Sequence, residues 1–113
     1  MPSVDTRAVT WHRLCRADQV TEDHPFGGEI AGTPVVVFSD GARCYALRDS
    51  CSHAQARLSE GFVDAHTVQC PLHGAEFDIR TGKCISDPPY EDVQAFEVRI
   101  EAGEVYLKLG KEE

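Results

Sequence analysis

Turn-forming residues punctuate this chain at short intervals in both of its halves: Gly27-Gly28, Gly32-Thr33-Pro34, Asp40-Gly41, Thr81-Gly82, Pro88-Pro89 and Ala102-Gly103. That spacing leaves room for short strands and almost none for helices of three turns. The intervening segments have strand chemistry. Val9 and Trp11 share a face, VVVF at 35–38 reads as a buried strand, and Asp40-Gly41 joins it to CYAL at 44–47 as a hairpin. Phe96, Val98 and Ile100 alternate with Glu97 and Arg99, and Val105, Leu107 and Leu109 alternate with Tyr106 and Lys108. Only ADQVTED at 17–23 suggests a short helix. The expected class is all-β, an antiparallel sandwich or barrel.

The 113 residues suffice for one domain, 1–113, burying about two thirds of the surface its unfolded chain would expose. Hydrophobic residues make up 42% and charged residues 27%, with no repeat or low-complexity tract, so no linker is expected. The N-terminal MPSVDTRAV lacks a basic start followed by an apolar run, and no segment has the length of a membrane span; a cytoplasmic protein is expected. A net charge of -8 disfavours nucleic acid and anionic membranes, both of which attract clustered Lys and Arg. It suits a basic protein partner.

Residues 49–92 differ from the rest. Strand-like runs are fewer, which suggests a loop-rich insertion on the β scaffold, and two Cys/His pairs fall there: Cys51-x-His53 and Cys70-x-x-His73, sixteen residues apart. Thiolates are soft donors and imidazoles borderline ones. Two of each suit tetrahedral zinc, or an iron-sulfur cluster in which His replaces Cys on one iron. A zinc finger gathers its cysteines in one knuckle and its histidines in another. Here each loop supplies one of each, the division a two-centre ligand requires. Cys15, Cys44 and Cys84, and His12, His24 and His66, have no partner at ligand spacing and read as packed or solvated side chains.

The match extends beyond the ligands through CPLHGAEFDIRTGK at 70–83, RLSEG at 57–61 and the closing EVRIEAGEVYLKL. In these segments the chain resembles Rieske-type ferredoxins, the small electron carriers of multicomponent aromatic-ring dioxygenases. The resemblance implies a Rieske [2Fe-2S] cluster, with Cys51 and Cys70 on the buried iron and His53 and His73 on the exposed one. High-potential members add a loop disulfide and two hydroxyls bonded to the cluster. This chain has Ala56 and Leu72 at the disulfide positions, and Ala75 and Phe77 at the hydroxyl positions. Fewer hydrogen bonds to sulfur disfavour the reduced, more negative state, so a low-potential cluster is expected. SDPPYED at 86–92 stands where the family has a proline-rich cover, with Asp87 where a small residue is common. The second ring nitrogen of each histidine ligand is left to solvent, a partner or a proton.

No residue reads as catalytic. The sequence holds neither a Gly-rich dinucleotide fingerprint nor an additional domain for a 2-His-1-carboxylate iron site. The resemblance implies a one-electron carrier that takes electrons from an NAD(P)H-dependent flavoprotein reductase and delivers them to a terminal oxygenase, acting as a monomer. Between 49 and 92 eight acidic residues face three basic ones, a bias that would steer a transient basic partner. Three rivals carry other expectations: the small subunit of an assimilatory nitrite reductase, a structural zinc module, and a redox sensor built on the spare cysteines.

Overall fold

The computed structural model describes residues 11–50, 56–71, 74–86 and 92–109. Among the described residues nine strands form two sheets. The larger contains β1 (Trp11–Arg16), β2 (Phe26–Ile30), β3 (Thr33–Ser39), β4 (Cys44–Arg48), β8 (Ala95–Glu101) and β9 (Glu104–Lys108), in the order β1-β9-β8-β4-β3-β2 with every pairing antiparallel. Its outer strands approach each other: a side chain placed on Gly28 of β2 would meet Leu14 of β1. The sheet therefore curls nearly into a barrel. The smaller sheet is a meander of β5 (Phe62–Asp64), β6 (Thr67–Gln69) and β7 (Glu76–Asp78).

The four-residue apolar run in β3 reports burial on both faces. Val35 and Val37 point into the barrel with Ala46, Val105, Leu107 and Cys15. Val36 and Phe38 point the other way, into a second core with Leu47, Leu58, Val68 and Phe77. Each such side chain contributes about 1.5–3 kcal/mol when fully withdrawn from water, and all four are essentially inaccessible. The small sheet lays one face on that second core: Val63, Val68 and Phe77 stand opposite one another across its strands. Phe62 and Gln69, paired on the outer face, stay out of that core.

Several expectations require correction. Gly27-Gly28 is no turn; both residues lie inside β2, paired with Val36 and Val35. Their bareness serves packing, because a Cβ on Gly27 would lie 2.8 Å from Ser59 Oγ and one on Gly28 would lie 3.0 Å from Leu14 Cδ1. The turn before β3 is Ala31-Gly32, both at positive φ, the geometry that a two-residue hairpin favours. Of the stretch 17–23 only Ala17–Gln19 is helical, as a single 3-10 turn. Ile100 pairs with Val105 as its alternation demands, yet it sits near the strand's end and is 48% exposed. The segment 49–92 holds three short strands as well as loops. Val9 and the Pro88-Pro89 pair lie outside the described residues.

Candidate metal centre

Of the four ligand candidates the described residues include Cys70; Cys51, His53 and His73 lie outside them, as does Leu72. Cys70 follows β6 directly and is 1% exposed. Its N–H donates to the Ala75 carbonyl at 2.7 Å, and its own carbonyl accepts the Gly74 N–H at 3.0 Å. These two bonds close the β6–β7 connection into a tight tip that contains position 73. Gly74 has φ +73, a conformation that glycine adopts at little cost, so CPLHG ends in a residue suited to reverse the chain. Gln69 Nε2 donates to the Gly74 carbonyl at 3.4 Å and braces the tip from the outer face.

The first loop, which bears Cys51 and His53, is delimited just as firmly. Asp49 is fully buried; its N–H donates to the Pro34 carbonyl at 2.9 Å, and its side chain accepts both the Ser59 N–H and the Ser59 hydroxyl at 2.7 Å. Beyond positions 51–55 the chain returns to the interior at Ala56 and at Leu58, the first residue of the 3-10 turn Leu58–Glu60. Ala56, Cys70, Ala75 and Phe77 belong to one apolar core. The end of the first loop and the base of the second tip thus share a single packed interior. A buried thiol here is a soft donor of the kind that a mixed Cys/His iron-sulfur cluster uses.

Ala56, Ala75 and Phe77 are all buried, so the positions that carry hydroxyls or a disulfide in high-potential relatives hold apolar packing here. Behind the tip, Ser86 Oγ accepts the Glu76 N–H, Ile85 N–H donates to the Glu76 carbonyl, and Asp92 caps the Cys84 N–H at 2.8 Å. These contacts fasten both flanks of 87–91, which lies outside the described residues.

His66, read from the sequence as a packed or solvated side chain, has a specific partner that this reading did not name. His66 Nε2 stands 2.9 Å from Asp40 Oδ2, and Tyr45 donates to the same oxygen at 3.2 Å. Glu22, Asp23, Asp40, Asp64 and His66 line a concavity of about 390 Å³ beside this pair. It lies at the Thr67 end of β6, whereas Cys70 lies at the other. No spacing rule links positions 40 and 66, so no local signal announced the contact. The remaining cysteines meet expectation. Burial pushes the Cys15 thiol up to about 11, and it also raises that of Cys44, so neither is a ready thiolate at neutral pH.

A near-closed antiparallel barrel, carrying a small sheet whose tip presents a buried cysteine, defines the class of two-sheet iron-sulfur proteins. Residues 10–97 match the model of the Rieske [2Fe-2S] domain, and the chain belongs to that family. Its cofactor is a Rieske-type [2Fe-2S] cluster. Among curated relatives, the ferredoxin subunit of anthranilate 1,2-dioxygenase from Burkholderia cepacia is 42% identical over 100 residues, covering 88% of this chain and 93% of the relative. The ferredoxin of carbazole 1,9a-dioxygenase from Nocardioides aromaticivorans IC177 superposes with a TM-score of 0.81 at 34% identity, over 87% of this chain and 96% of that one. A ferredoxin solved in complex with the reduced oxygenase of a carbazole 1,9a-dioxygenase is similarly close, with TM-score 0.81 and 33% identity over 91% of this chain and 96% of that one.

Proposed function

We propose that this chain is the one-electron carrier of a multicomponent aromatic-ring dioxygenase, with Cys51 and Cys70 on one iron of its cluster and His53 and His73 on the other. The cluster, when bound, accepts one electron and gives one up; the protein contributes position, exclusion of water and electrostatics. Burial of Cys70 keeps its sulfur away from water and competing metals. A histidine at the tip, beyond Pro71, would stand nearest a docked partner and serve as the route for electrons.

The relatives' roles support delivery to a terminal oxygenase. We further propose an NAD(P)H-dependent flavoprotein reductase as donor, a monomeric carrier and a cytoplasmic setting. Among the described residues no helix is long and apolar enough to cross a membrane. The observation that carries the reading is Cys70, enclosed at the base of a hydrogen-bonded tip and sharing one core with the end of the loop that bears Cys51 and His53. The test is aerobic purification, visible absorption, low-temperature paramagnetic resonance after reduction, and iron and sulfide counts. Two irons and two sulfides per chain are expected, with the signal lost in Cys51→Ser and Cys70→Ser. Colourless protein, or one zinc per chain, would overturn the reading.

A further inference from the structure

Among the described residues, Asp49 is the only charged side chain withdrawn from solvent. A carboxylate so placed costs several kcal/mol unless its oxygens are engaged. Here Oδ1 accepts the Ser59 N–H and Oδ2 accepts the Ser59 hydroxyl, each at 2.7 Å, with Arg57 Nη1 at 3.7 Å from Oδ2. From behind, the Asp49 N–H is anchored to the Pro34 carbonyl of β3. One residue therefore ties together the scaffold, the start of the segment 50–58 and its end. That segment carries Cys51 and His53.

A second, independent observation points to the same contact. Gly27 lies in the middle of β2, where glycine is less favourable than alanine by about 0.5–1 kcal/mol. A Cβ there would lie 2.8 Å from Ser59 Oγ and 3.1 Å from Asp49 Oδ2. The strand forgoes a side chain at the one position where it would push the hydroxyl off the carboxylate. The carboxylate offers one oxygen to each donor, and charge-assisted bonds of this kind are about twice as strong as neutral ones.

We propose that Asp49 is a positioning residue for the cluster: by latching Ser59 it fixes the separation of the two points from which the ligand-bearing segment hangs. The proposal rests on the reading of Cys51 and His53 as ligands. On this proposal a broken latch loosens the attachment of the ligand-bearing segment, so the cluster should be held less firmly.

The test uses the cluster-loaded protein and four variants: Asp49→Ala, Ser59→Ala, Gly27→Ala, which reaches the same contact from another strand, and Gly103→Ala as control. The control adds strain at a remote turn where a Cβ meets nothing within 4 Å. Iron release to a chelator and the g-values of the reduced cluster are measured below the melting transition. Ser59→Ala and Gly27→Ala should release iron about fivefold faster, the factor one net hydrogen bond is worth. Asp49→Ala should release it faster still, all three with shifted or broadened g-values. Gly103→Ala should match the wild type. Should Asp49→Ala fail to fold, the other two variants carry the test. Wild-type release and g-values in Ser59→Ala and Gly27→Ala overturn the latch. Cys51→Ser and His53→Ala separate the two readings: an unchanged spectrum in these defeats the ligand assignment, whereas its loss beside unaffected latch variants defeats the latch alone.

Discussion

His66 Nε2 lies 2.9 Å from Asp40 Oδ2, so the β5–β6 turn of the small sheet is fastened to the β3–β4 turn of the barrel. Asp40 is rich in donors. Its other oxygen accepts the Arg43 and Ala42 N–H groups at 2.7 and 2.8 Å, and Tyr45 adds a bond to the first. The Arg43 N–H foremost, then His66 and the Ala42 N–H, hold the Asp40 carboxyl well below the usual carboxylate range. A depressed folded-state value means that the contribution to stability is complete above the unfolded value of about 4 and is lost as pH falls from there toward the folded one. Asp40→Asn should therefore be less stable than wild type at pH 7, and the gap should close below about pH 4. Denaturant midpoints across this range measure it; a gap independent of pH would reject the assignment.

Gly82 and Gly103 both have positive φ, yet substitution should affect them differently. A Cβ on Gly82 would stand 1.9 Å from the Val93 carbonyl oxygen, at the junction where Val93 N–H donates to the Gly82 carbonyl. Gly82→Ala should cost about 2–4 kcal/mol, combining backbone strain with overpacking. Gly103→Ala meets open space and should cost about 1 kcal/mol, strain alone. Equal losses in thermal or denaturant unfolding would contradict the geometry.

Ala102, at φ 52, heads the β8–β9 turn in a conformation alanine adopts reluctantly. Asparagine tolerates it, and Asn-Gly is the favoured pair for this turn. Ala102→Asn should stabilise the protein by about 0.5–1 kcal/mol. A lower denaturant midpoint in the variant would count against the turn geometry.

Phe77 is fully buried, with Val68 opposite it and Cys84 bridged to it. The midpoint potential should fall toward the lower end of the Rieske span of about -150 to +300 mV, because Ala75 and Phe77 offer no hydroxyl. Ala75→Ser and Phe77→Tyr should each raise it in a potentiometric titration. If the new tyrosine hydroxyl finds no sulfur, Phe77→Tyr should instead lose about 1–3 kcal/mol of stability with the potential unchanged.

Electron transfer to the oxygenase should slow as ionic strength rises, since Glu60 and Asp64 are exposed and the chain carries a net charge of -8. Stopped-flow rates at graded salt check this. A flat dependence would remove steering from the account.

Local chemistry was enough to reveal the β class, the hairpin of 35–47 and the closing alternation of 105–109, because alternation and turn residues act over a few neighbours. The turn in CPLHG was equally legible, since proline and glycine act locally, and the structure closes it with the Cys70–Gly74 and Cys70–Ala75 bonds. What no local pattern carried was the use of contacts between distant segments. Gly27 looked like a turn until β2 was seen to pass beside Ser59 and Asp49. The partner of His66 became evident only where its turn meets Asp40. The sequence by itself supplied the candidate Cys/His donor set and the strands of strongest alternation, because both are written in a few neighbouring residues. Only the tertiary structure decided that the two ends of the segment 50–58 are drawn together by a buried carboxylate, because that contact depends on the packing of β2 and β3 beside the Ser59 turn.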